Sequence, residues 1–149
     1  MNVDAVKVTE ILLVEDNPGD LRLMQEACRL ASRLIRMHTV GDGAAALAFL
    51  RHEGDYHDAP RPDFILLDLN LPKLHGHEVL AQIKADEGLR SIPTIILTSS
   101  DDPADVAKSY ALHAHCHLAK PSDLDGIEVL AKRMDEFWVG VKLSPRADA

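Results

Sequence analysis

Five side chains of the kinds that handle phosphoryl groups stand along the chain: Glu15, Asp16, Asp68, Thr98 and Lys120. Each follows or closes a short apolar run. Glu15-Asp16 comes after Ile11 to Val14, and Asp68 after Phe64 to Leu67. Thr98 ends the run from Thr94, and Lys120 comes after Cys116 to Ala119. If the runs are neighbouring parallel strands, these residues converge at one end of a sheet. Three carboxylates gathered there repel one another unless a cation holds them, and hard oxygen ligands with room for water and a phosphate oxygen suit Mg²⁺. A carboxylate nucleophile, a metal to neutralise developing charge, and a hydroxyl and an ammonium for the outer oxygens are the parts of a phosphoryl transfer.

The elements that must position them alternate in type. Strand-like runs at Glu10–Val14, around Leu34 to Val40, Phe64–Leu67, Thr94–Thr98 and Cys116–Ala119 are separated by helical patterns, the signature of a parallel sheet covered by helices. Leu21, Met24, Cys28 and Ala31 form one apolar stripe, Ala46, Leu47 and Leu50 another, Val79, Leu80 and Ile83 a third, and Leu124, Ile127, Ala131, Met134 and Trp138 the stripe of the last helix, one face of which must cover the sheet. A polar, proline-bounded loop is expected from Arg51 to Pro62. Asp102-Pro103 opens the fourth helix, and Ser122 or Asp123 caps the last. The expected fold is α/β, a flavodoxin-like doubly wound five-stranded parallel sheet in the order 2-1-3-4-5. Its ligand site lies at the strands' carboxyl ends, where the order reverses between strands one and three.

With 149 residues, 46% of them hydrophobic, the chain suits one core plus a tail. We place a domain over 9–138 and a C-terminal arm or tail over 139–149. Past Trp138 the period changes to two, Val139, Val141 and Leu143 alternating with polar residues, which reads as an extended arm. Such an arm could fold back on its own domain, but a homodimer contacting through the final helix and the arm is favoured, about two to one. A formal charge of −8 without a basic run argues against nucleic-acid and anionic-membrane partners. Neither a leader nor a bilayer-crossing stretch is visible, so a cytoplasmic location is expected. The two cysteines, Cys28 and Cys116, read as small buried side chains rather than a disulfide.

In order along the chain, Glu15-Asp16, Asp68, Pro72, Gly76, Thr98-Ser99 and Lys120-Pro121 resemble the motif set of the response-regulator receiver family of two-component signalling, from about Thr9 to Trp138. The resemblance implies a CheY-like fold and a signalling protein rather than an enzyme, phosphorylated on Asp68 by a histidine kinase. It implies that Asp16, Asp68 and the backbone carbonyl of Asn70 hold Mg²⁺, that Glu15 assists through water, and that Thr98 and Lys120 contact the phosphoryl group. The 51–62 loop, Asp68-Leu69-Asn70-Leu71-Pro72 and Asp135-Glu136-Phe137-Trp138 look like phytochrome-associated receivers, which implies a phytochrome-type kinase as partner. The signal would then pass on by docking to another protein or by relay to a histidine phosphotransferase. One position departs from the pattern: His117, three residues before Lys120, stands where many receivers carry the tyrosine or phenylalanine that swings inward on activation.

Other readings compete at several of these residues. A lone acidic pair such as Glu15-Asp16 is more often a polar strand end, and Lys120 alone would be a solvated lysine, although Pro121 permits a cis bond that would aim it inward. The alternating His113, His115 and His117, beside Cys116, could ligate a metal, but surface and core-edge histidines are the commoner case. Gly41-Asp42-Gly43 lacks the spacing and lysine of a nucleotide loop. Two rival functions are a pseudo-receiver that binds partners without phosphorylation, and a Mg²⁺-dependent phosphatase passing through an aspartyl-phosphate. The latter usually shows a second aspartate where this chain has Asn70.

Overall fold

The computed structural model describes residues 8–31, 34–99 and 102–143. Five strands, β1 (Thr9–Val14), β2 (Ile35–Val40), β3 (Phe64–Asp68), β4 (Thr94–Thr98) and β5 (Cys116–Ala119), form one sheet in the order β2-β1-β3-β4-β5. All pairings are parallel, with Ile11 beside Phe64, Ile65 beside Thr94 and Ile95 beside Cys116. The helices are α1 (Pro18–Leu30), α2 (Gly43–Leu50), α3 (Gly76–Ala85), α4 (Pro103–Ala111) and α5 (Leu124–Leu143). This is the doubly wound order expected from the sequence.

The strands are apolar on both sides because helices cover both faces. Leu12, Val14, Ile65, Leu67 and Ile96 pack with Leu47, Leu50, Val79, Leu80 and Ile83 of α2 and α3. The residues between them, Ile11, Leu13, Phe64, Leu66, Ile95 and Leu97, pack with Met24 and Ala27 of α1 and with Ile127, Leu130 and Met134 of α5. Period-two alternation along each strand therefore builds two separate cores.

Helix starts follow their capping chemistry. Asn17, Asp42 and Asp102 accept the backbone N–H of Asp20, Ala45 and Ala104 at 3.0, 2.7 and 3.0 Å. Asp123 accepts from Gly126 at 2.7 Å in the first turn of α5. At α3 the cap is His75, whose Nδ1 accepts from the His77 backbone, while Glu78 accepts from the His75 backbone in a reciprocal capping box.

Four details differ from the sequence reading. Helix α5 continues through Leu143, so 139–143 are helical and not an extended arm. A period-two pattern of five residues is weak evidence beside a helix already running into it. Leu124, assigned to the buried stripe of α5, is 65% exposed, because it opens the helix ahead of the turn that meets the sheet. The 51–62 segment carries a 3-10 turn at Gly54–Tyr56, with Tyr56 tilted against Phe49 at a ring distance of 5.5 Å. The peptide between Lys120 and Pro121 is trans. The remaining tail, 144–149, lies outside the described residues.

Candidate phosphoryl-transfer site

The carboxyl ends of β1 and β3 bring the acidic residues together. One oxygen each of Glu15, Asp16 and Asp68 lies within 4.8 Å of the others, the only group of three or more potential metal ligands of this kind among the described residues. Glu15 and Asp68 are buried, at 2% exposure each, while Asp16 faces solvent. The backbone holds the two buried carboxylates. The Asn17 N–H donates to Glu15 Oε2 at 3.1 Å, and the Asn70 N–H donates to Asp68 Oδ1 at 3.2 Å.

Lys120 reaches into this cluster from the end of β5. Its Nζ lies 2.7 Å from Glu15 Oε1, 2.8 Å from Asp20 Oδ2 and 3.2 Å from Asp68 Oδ2. Asp20 and Glu15 accept hydrogen bonds from the ammonium, and Asp68 is paired with it by charge. Burial alone would lower the Lys120 pKa, but its hydrogen bonds to Asp20 and Glu15 and the charges of Asp68 and Glu15 outweigh it, raising the pKa well above the usual lysine range. The Glu15 carboxyl goes the other way from a typical paired acid. Burial raises its pKa, with the Asp68 charge adding to that, against the opposing contacts to Lys120 and the Asn17 backbone.

Thr98 stands beside them at the end of β4, 1% exposed, and its carbonyl accepts the Lys120 backbone N–H at 3.1 Å. The β3 to α3 loop, which carries Asn70 and Pro72, returns close under Asp68. The Gly76 N–H donates to the Leu69 carbonyl at 3.0 Å, and a Cβ on Gly76 would lie 2.5 Å from the Asp68 carbonyl oxygen. Only glycine fits there, which gives the Gly76 of the motif a physical reason.

The structure thus brings Glu15, Asp16, Asp68, Thr98 and Lys120 to one end of the sheet, with Asn70 two residues beyond Asp68. Sequence reasoning missed Asp20. In the first turn of a helix an aspartate reads as a partner for the helix dipole, yet that turn starts at the carboxyl end of β1 and so borders the site. His113 and His115 are exposed, outside any such metal-ligand group. His117 is different: its Nε2 is buried and has no hydrogen-bond partner.

Residues 11–132 match the response regulator receiver domain family. The chain belongs to that family. Response regulator Rcp1 of Synechocystis sp. is 43% identical over 137 residues, which cover 92% of this chain and 93% of Rcp1. Among solved structures, that of the phosphorylated cyanobacterial phytochrome response regulator RcpA superposes with a TM-score of 0.84 at 43% identity, covering 95% of this receiver and 99% of RcpA. The Mn²⁺-bound form of Rcp1 gives 0.81 at 41% identity, covering 93% and 98%. This receiver is therefore a response regulator related to the phytochrome regulators Rcp1 and RcpA, in a family that generally signals rather than catalyses. Neither rival function is favoured by these likenesses.

Proposed function

We propose that this receiver accepts a phosphoryl group on Asp68 from a phytochrome-type histidine kinase in a Mg²⁺-dependent reaction. The observation that carries the reading is the convergence of Glu15, Asp16 and Asp68 with Lys120 at the sheet end. An all-oxygen set with one solvent-facing member fits a hard divalent cation that keeps some of its water. Asp16, Asp68 and the Asn70 carbonyl would hold Mg²⁺, with Glu15 assisting through water. When bound, the ion supplies positive charge against the oxygens of the transferring group.

An Asp68 carboxylate oxygen attacks phosphorus, forming the O–P bond as the P–N bond to the donor imidazole breaks. Lys120 then exchanges a carboxylate contact for a phosphoryl oxygen, and the Thr98 hydroxyl donates to another. Relatedness to Rcp1 and RcpA supports the phytochrome class of kinase. We further propose a homodimer through α5, with docking or relay to a histidine phosphotransferase as the output. Among the described residues no helix is long and apolar enough to cross a membrane.

Incubation with Mg²⁺ and acetyl phosphate tests the central step. The chain should gain the mass of one phosphoryl group, lost again with hydroxylamine, and Asp68→Asn should gain none. Full labelling of Asp68→Asn would remove the assignment, and no labelling of the parent would favour the pseudo-receiver. A phosphatase would release phosphate from many monoesters at a rate that Asp68→Asn abolishes.

A further inference from the structure

Lys120 contacts three carboxylates, but they are not equivalent. Glu15 and Asp68 belong to the group that could hold a divalent cation, whereas Asp20 does not. Asp20 comes from α1, a hundred residues away in sequence, and its side chain is 30% exposed while that of Lys120 is 10% exposed. It is therefore the most solvent-exposed of the three carboxylates on the ammonium. Its own backbone N–H is already used by the Asn17 cap, so capping does not account for where the carboxylate points.

A dication held by Asp16 and Asp68, with Glu15 engaged through water, would compete for carboxylates that Lys120 now uses and repel its charge. The ammonium is too buried to be left without an anion at little cost. We infer that Asp20 is the positioning residue that retains Lys120 at the rim of the site when a divalent cation engages Asp68 directly and Glu15 through water. The inference rests on the metal site proposed above. Without Asp20, the ammonium either stays on the metal's oxygens or loses its counter-ion, and in both cases cation binding weakens.

The test is Mn²⁺ affinity by calorimetry in four full-length chains: parent, Asp20→Asn, Lys120→Met and the double variant. Both substitutions keep side-chain volume, and thermal melts of the metal-free proteins report folding. Asp20→Asn should weaken Mn²⁺ binding about five-fold in the parent and less than about two-fold in the Lys120→Met background. A change of equal size in both backgrounds would assign Asp20 a general electrostatic or helix-stabilising effect and overturn the inference, as would no change in either. If the parent binds no Mn²⁺, the proposed metal site itself fails. If Asp20→Asn does not fold, Asp20→Glu, which keeps the charge on a longer stem, should bind within about two-fold of the parent, and a five-fold loss there would count against the inference.

Discussion

Asp16 and Gly76 show how much one residue can decide at this site. Asp16 is the exposed member of the carboxylate group, so replacing it removes a ligand charge without opening the core. Asp16→Asn should weaken Mg²⁺ binding by about ten-fold, read by calorimetry, while leaving the urea midpoint within about 0.5 kcal/mol of the parent. Gly76→Ala should do the reverse in order of cause. Its Cβ would press on the Asp68 carbonyl and, at 2.6 Å, on the Leu69 Cα, which are backbone atoms that cannot rotate away. A cost of about 1–3 kcal/mol in urea unfolding is expected, with metal affinity falling because Asp68 itself is displaced. The ligand residues were legible because each closes an apolar run. Asp20 was not, because nothing in the sequence says that Lys120 turns toward α1.

At the scale of elements, α5 separates what a helical stripe predicts from what packing decides. Ile127, Leu130, Ala131 and Met134 are buried as the stripe requires, but Leu124 at the same spacing is not. Met134→Ala should cost about 2–5 kcal/mol in chemical denaturation, against no more than about 0.5 kcal/mol for Leu124→Ala. Equal costs would mean that α5 sits differently on the sheet. Strand existence and order followed from apolar runs broken by Pro, Gly and Asp. The state of 139–143 did not, because five alternating residues fit the end of a helix as well as a strand.

The molecule as a whole should respond to acid earlier than its carboxylates alone would suggest. Burial lowers the pKa values of His77 and His117, although Asp105 partly opposes this at both. A histidine with a folded pKa below about 6.5 is protonated more readily in the unfolded chain, so its contribution is present above that pH and is lost as pH falls below it. Glu15, with a raised pKa, has the opposite sign: its folded form holds the proton more tightly, so acid favours the folded state through that group. Two histidines of lowered pKa, titrating above the range of the glutamate, predict a urea midpoint that falls between about pH 7 and about pH 5.5. His77, 3% exposed and 3.0 Å from Ser109 Oγ, should carry much of this, so the slope should flatten in His77→Gln. A midpoint constant over that range would contradict the burial argument.

The length of α5 has a mechanical consequence. Twenty residues span about 30 Å, whereas the four to six residues of each strand span about 13–20 Å. The part from Ile127 to Met134 packs against the sheet and α1, and nine more helical residues follow Met134. A helix held near one end acts as a lever, and this one begins three residues after Pro121. A tilt of about 10° at the clamped end would carry the far tip about 5 Å, so a rearrangement of one ammonium's contacts is enlarged to the size of a side chain at the distance where another protein would feel it.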